Sequence, residues 1–118
     1  MFNFTIEDKS SYFQVNLEGR LMIHEDAQHL QNRISKLLSK EKNHVIINFE
    51  KLSYLNSSGL GALITILTKS RNFGGDTVIT DVPKIINELL LVSKLNTVFK
   101  IEPTFTEAVD SLNKLKNN

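Results

Sequence analysis

The chain contains no cysteine. Disulfides and thiolate metal ligands are therefore excluded, and the composition accords with a reducing compartment. It also lacks a surplus of either charge. Fourteen lysines and arginines against thirteen aspartates and glutamates leave +1, so no chain-wide field draws it to nucleic acid or to an anionic membrane. Long apolar runs are missing as well. The most apolar stretch, Leu60 to Leu67, falls far short of the roughly 20 residues needed to span a bilayer. The opening MFNFTIEDKS has no basic region followed by an apolar one. A cytoplasmic protein is expected, with no membrane insertion and no direct contact with nucleic acid. There is no internal repeat, low-complexity segment, linker or His-Glu-x-x-His spacing.

What remains is ordinary globular composition, 41% apolar and 23% charged, which matches neither a disordered chain nor a membrane protein. At 118 residues one domain over 1–118 is expected, burying roughly two thirds of its unfolded surface.

Periodicity places the elements. Phe2, Phe4 and Ile6 alternate with polar residues, Asp8-Lys9-Ser10-Ser11 supplies a turn, and Phe13, Val15 and Leu17 alternate again, which predicts an antiparallel hairpin. Gly19 breaks that pattern, and Leu21-Met22-Ile23 reads as a short extension into a loop. Ala27, Leu30, Ile34, Leu37 and Leu38 share one face of a helix from about Glu25 to Lys40. Val45 to Phe49 reads as a buried strand, and Leu52 to Leu55 leads on from it. A second helix carries Leu60, Leu63, Ile64, Leu67 and Arg71 on one stripe, running to about Phe73 before the stop signal Gly74-Gly75.

Thr77–Thr80 is a strand, and Pro83 opens a third helix, carrying Ile85, Ile86, Leu89 and Leu90, that ends near Lys94. Val98–Ile101 is a last strand. Thr104 and Glu107 have capping-box spacing before a helix bearing Ala108, Val109, Leu112 and Leu115. The basic end around Lys114 and Lys116 reads as frayed and solvated. Strands alternating with helices after a hairpin predict an α/β fold: a mixed sheet with an antiparallel N-terminal hairpin, parallel strands and about four helices.

The most informative segment is Tyr54-Leu55-Asn56-Ser57-Ser58-Gly59-Leu60-Gly61, where an apolar strand end meets capping residues and then an apolar helix. Asn56 suits the N-cap and puts Ser57 at the first helical position. Two glycines in the opening turn weaken a helix by roughly 1 kcal/mol each. One reason to keep them is close approach of another surface or of the sheet. Another is that free N–H groups at a helix start seat an anion, so a phosphate on Ser57 would add about −1.5 to −2 charges at the positive end of the dipole. The plainer reading is a simple cap with glycines that ease packing, and spacing alone does not separate the two.

Asn56-Ser57-Ser58-Gly59-Leu60-Gly61 after an apolar strand resembles the Asp-Ser-[Ser/Thr/Ala]-Gly-Leu-Gly signature of the STAS domain, specifically the bacterial anti-sigma factor antagonists. Gly19-Arg20-Leu21, Val92-Ser93-Lys94-Leu95 with Val98-Phe99-Lys100-Ile101, and Glu107-Ala108 line up too, so the likeness covers essentially the whole chain. The resemblance implies a STAS-like sheet with helices mainly on one face and a serine exposed at a helix start. It implies a partner, an anti-sigma factor that is also a GHKL-type serine kinase, bound by the unphosphorylated domain. Phosphorylation of Ser57 would release it and a serine phosphatase would reset it, with Ser58 as supporting neighbour. Residues 56 to 61, with Met22 and Ile23, would form the binding surface. The resemblance implies no enzyme activity and no cofactor.

Two positions depart from the family pattern: Asn56 stands for the signature acid and Met22 for the acid that often follows Gly-x-Leu. Asparagine keeps an acceptor and still caps, but carries no charge to orient or deprotonate a hydroxyl. The strongest rival is therefore a STAS-like scaffold that is not phosphorylated, serving a stress-signalling or membrane-transport complex through contacts alone. A nucleotide site is weaker. Gly59-x-Gly61 opens a helix and Asp81 lies twenty residues on, but the sixth motif position is Ile64 where glycine or alanine is expected. Serine catalysis lacks its elbow, with Leu55 two residues before Ser57. His24, His29 and His44 read as loop or solvated-helix residues rather than as a base.

Overall fold

The computed structural model describes residues 1–116; the backbone is helical through Lys114 and Lys116, where a frayed end is expected, and the side chain of Leu115 falls outside the described residues. Strands β1 (Phe2–Asp8) and β2 (Phe13–Leu21) form the antiparallel hairpin. They are followed by α1 (His24–Leu37), β3 (His44–Leu55), α2 (Ser57–Asn72), β4 (Asp76–Thr80), α3 (Lys84–Val92), a 3-10 turn (Leu95–Thr97), β5 (Lys100–Glu102) and α4 (Phe105–Lys116). The sheet order is β1-β2-β3-β4-β5, parallel from β2 onward. Among the described residues no helix is long and apolar enough to cross a membrane.

Strand alternation divides the core in two. Phe13, Val15 and Leu17 of β2, Val45, Ile47, Phe49, Leu52 and Leu55 of β3, and Ile79 of β4 face α1, α2 and α3 and form the larger cluster. Tyr12, Ile46 and Val78 face the other way and are covered by Ala108, Val109 and Leu112 of α4. Three helices thus lie on one side and α4 alone on the other.

Several boundaries differ from expectation, each for a local reason. β2 does not stop at Gly19 but runs through it to Leu21. Gly19 sits at φ +92, where a Cβ would collide with the Met1 carbonyl, so glycine is what lets the strand continue. The pairing with β3 shifts register between Asn16 and Glu18 and between Gly19 and Arg20, each time with the extra residue on β3, while β2 itself keeps its alternation through Leu21. Those extra residues break the burial period of β3 after Phe49, so that the two expected pieces are one twelve-residue strand.

In α2 the buried face is Gly59, Ala62, Leu63, Ile66, Leu67 and Ser70, while Leu60 is half-buried and Ile64 exposed. Leu63 and Leu67 of the expected stripe are buried, but the face is rotated toward Gly59, Ala62, Ile66 and Ser70, which leaves Leu60, Ile64 and Arg71 outside it. α1 ends at Leu37 and not Lys40, leaving Leu37 exposed. α3 ends at Val92, two residues before left-handed Lys94, and Ile85 points to solvent. Val98 and Phe99 precede β5 instead of belonging to it; the Phe99 N–H donates to Leu95 O at 3.0 Å and its ring is buried.

The start of α4 has two caps. Thr104 Oγ1 accepts from the Glu107 N–H at 3.1 Å, and the Asp81 carboxylate accepts from the Phe105 N–H at 3.0 Å. Asp81 holds a left-handed conformation, φ 55, that aspartate and asparagine tolerate better than alanine. Asp81→Ala is therefore expected to cost about 1–2 kcal/mol in urea unfolding, through a lost cap and added strain, whereas Asp81→Asn changes stability little.

Candidate functional site

The junction of β3 with α2 is held by backbone before side chains enter. Leu55 ends β3 opposite Leu21 of β2, and both are fully buried. The Asn56 N–H donates to Leu21 O at 3.3 Å, tying the turn to the neighbouring strand. Asn56 is extended (φ −111, ψ −169) and caps α2, with Oδ1 accepting from the Gly59 N–H at 3.2 Å. Its Nδ2 donates to Met22 O at 2.8 Å. One side chain thus fixes both the helix start and the loop after β2, which brings Met22 and Ile23 alongside it.

With Gly59 N–H given to the cap and Leu60 N–H to Asn56 O at 2.9 Å, the N–H groups of Ser57 and Ser58 have no partner among the described residues. Ser57 is exposed and Ser58 half-buried. The first turn of α2 carries no acid, while Lys69 and Arg71 sit in its last turn. The positive end of the dipole is thus unneutralised by its own helix and open to an anion.

The two glycines have different causes. A Cβ on Gly59 would stand 3.0 Å from Leu21 Cγ and 3.1 Å from Leu21 O, so this glycine serves the contact between α2 and β2. A Cβ on Gly61 would meet nothing within 4 Å, and the residue is exposed. Packing within the chain does not call for glycine there. Exposed apolar side chains occur on the same helix and on the loop tied to its cap, Ile64 at 37%, Met22 at 39% and Ile23 at 55%, with Leu60 half-buried.

One contributor was not visible in the sequence. Arg20 pairs in register with Tyr54; its guanidinium lies 5.6 Å from the Tyr54 ring centre and its Nε donates to Met22 Sδ at 3.4 Å. Arg20 therefore props Met22 from behind. Its direction follows the alternation of β2, on the face of Gln14, Asn16 and Glu18; the register shift beside Gly19 is what sets Tyr54 opposite it, and that shift leaves no trace in the β2 segment.

The competing chemistries find no support in the geometry. Asp81 spends its carboxylate capping α4. His24 is exposed at the start of α1, and His29 meets Phe4 in a tilted contact with ring centres 5.3 Å apart. His44 is not in a loop as expected but begins β3, a whole strand away from Ser57.

The chain is 26% identical over 102 residues to a Paenibacillus polymyxa protein named anti-sigma F factor antagonist, a match covering 86% of this chain and 85% of the relative. Its fold is similar to that of an anti-sigma factor antagonist from Mycobacterium paratuberculosis, with TM-score 0.81, 18% identity and coverage of 96% of this chain and 95% of that one. It is similar also to the Bacillus cell-fate determinant SpoIIAA in its phosphorylated form, with TM-score 0.73, 23% identity and coverage of 93% and 99%. The STAS domain model matches residues 3–108, in keeping with the mixed sheet and its helices, and the chain belongs to the STAS domain family.

Proposed function

We propose that this chain is an anti-sigma factor antagonist, a single-domain cytoplasmic binding protein without catalysis or cofactor of its own. In the unphosphorylated state it binds an anti-sigma factor that is also a GHKL-type serine kinase, through residues 56 to 61 together with Met22 and Ile23. Sequestering that partner frees a sigma factor for transcription. The partner's bound ATP then supplies the switch: Ser57 Oγ bonds to the γ-phosphorus, the bond to the ADP oxygen breaks, and the hydroxyl proton leaves. A serine phosphatase reverses the change by hydrolysis.

The observation that carries this reading is the exposed Ser57 hydroxyl beside two uncommitted N–H groups. A phosphate there is tolerated by the fold, because it sits at the favourable end of α2. The docked partner has no such accommodation, since an anion would be buried among Met22, Ile23, Leu60 and Ile64. The name of the Paenibacillus relative supports the same role. Incubation with the kinase partner and Mg-ATP should raise the intact mass by one phosphoryl group in the parent chain and not in Ser57→Ala. No mass gain, under conditions where the kinase modifies a control substrate, would remove the switch.

Gly61 gives a separate prediction. Gly61→Ala should stabilise the fold by about 0.5–1 kcal/mol, because the added methyl meets nothing and the helix gains propensity. The same methyl should weaken partner binding roughly tenfold by holding the partner off the helix backbone. Thermal unfolding and titration calorimetry on one sample check both halves.

A second reading rests on Asn56. It offers Ser57 no carboxylate, and both ends of its amide are already engaged. A module of the same fold acting by contact alone, in a stress-signalling or transport complex, needs no more than that. Capture from the native cell separates the two: a GHKL-type kinase supports the switch, and transporter subunits support the scaffold.

A further inference from the structure

The sheet has two edges, and they are not treated alike. β5 is three residues long and is followed by Pro103, while Arg71 Nη2 donates to Val98 O just before it at 3.0 Å. Those are the ordinary ways of closing an edge to further pairing. β1 has none of them. It runs seven residues without proline, lysine or bulge.

The hydrogen-bond phase shows which groups it leaves open. The Arg20 N–H donates to Met1 O, and the Lys9 N–H to Tyr12 O, each at 3.0 Å. With the register Phe2↔Gly19 through Asp8↔Phe13, the odd-numbered residues of β1 face β2. The N–H and C=O groups of Phe2, Phe4, Ile6 and Asp8 therefore point outward, and among the described residues nothing bonds to them. The side chains tell the same story. Phe13, Val15 and Leu17 of β2 are buried to 4%, 0% and 1% exposure, whereas Phe2, Phe4 and Ile6 beside them are only half-buried.

We propose that β1 is a self-association edge, pairing antiparallel with β1 of a second copy about a twofold axis beside Thr5. This alignment places Phe4 opposite Ile6 of the second copy as a hydrogen-bonded pair, and Phe2 opposite Asp8, so all four outward-facing residues find partners. On the helix side, Phe4 and Ile6 of each chain cover the stripe that α1 leaves half open. Charge selects the direction of pairing. The only charges on β1 are Glu7 and Asp8, both at one end. A parallel second copy would set acid against acid, while the antiparallel one sends the two acidic ends about 20 Å apart and puts Phe2 and Asn3 against them. Residues 56 to 61 begin α2 beyond β3, two strands in from this edge, so both copies keep Ser57 open.

Sedimentation equilibrium of the whole chain, from about 10 µM to about 1 mM, should show a reversible dimer, as fits a small transient interface. Thr5 is exposed, and its hydroxyl makes one surface bond, accepting from Asn16 Nδ2 at 3.0 Å. Thr5→Lys should keep the native far-ultraviolet circular dichroism but bring two ammonium groups together at the axis, weakening the dimer at least about tenfold. Thr5→Glu should do the same. Mixing the two variants should restore a dimer, read by native mass spectrometry as the mixed species. A parent chain that stays monomeric throughout that range, a Thr5→Lys chain that dimerises like the parent, or a mixture that stays monomeric would each overturn the proposal.

Discussion

Ser57→Asp is expected to weaken partner binding by at least about 100-fold while leaving the fold as stable as before or more so. The two halves have one cause seen from two sides. In the free chain the new carboxylate lies at the first helical position of a helix with no acid in its opening turn, where a negative charge is worth about 0.3–1 kcal/mol. The melting temperature should therefore not fall, and a rise of up to about 5 °C is expected. In the complex the same carboxylate is buried without a counter-charge, a situation that costs several kcal/mol per ion. Each 1.4 kcal/mol or so is a factor of ten, so a loss of two orders of magnitude needs only about 3 kcal/mol. Ser57→Ala removes the hydroxyl without adding charge and should bind within about threefold of the parent. Calorimetric titration of the three chains against the anti-sigma partner decides the matter; Ser57→Asp binding as tightly as Ser57→Ala would remove the electrostatic basis of the switch.

That prediction could be framed from the sequence because the features behind it are local. An asparagine between an apolar strand and an apolar helix announces a cap, and Asn56 is that cap. Alternation announced the hairpin, and the three- and four-residue spacing of Ala27, Leu30 and Ile34 announced α1, whose buried face they are. Features set by contact between distant segments were harder to see. The buried face of α2 keeps Leu63 and Leu67 of the expected stripe but takes Gly59, Ala62, Ile66 and Ser70 in place of Leu60 and Ile64, and at Gly59 the approach of Leu21 leaves no room for a larger residue. Ser70 is buried because its hydroxyl meets Thr77 Oγ1 at 2.8 Å, a pairing across the αβ connection that no window of neighbouring residues contains. The contact of Arg20 with Tyr54 is hidden for a similar reason, since the register shift beside Gly19 decides which residue of β3 lies opposite it. The free edge of β1 is likewise a property of sheet order, which the string of residues does not state.

The contact beneath Gly59 yields the other large effect. Leu21 is fully buried at the end of β2, and its side chain fills the space a Gly59 Cβ would need. Leu21→Ala should cost about 2–5 kcal/mol, as truncation of a buried leucine does when its cavity cannot collapse. Gly59→Ala should gain up to about 1 kcal/mol of helix propensity but lose about 1–3 kcal/mol to overpacking. The backbone cannot yield there, because Leu21 O is held by the Asn56 N–H, so the sum is destabilising. In the double variant the new methyl enters part of the space vacated by the leucine, and the combined loss should fall short of the sum of the single losses by at least about 0.5 kcal/mol. Urea unfolding of the four chains closes the cycle. Additive losses would mean that Gly59 is not there to admit Leu21, and its presence would then have to be traced to the surface a partner covers. A shortfall would divide the two glycines by purpose: Gly59 for the sheet behind the helix, and Gly61 for whatever docks in front of it.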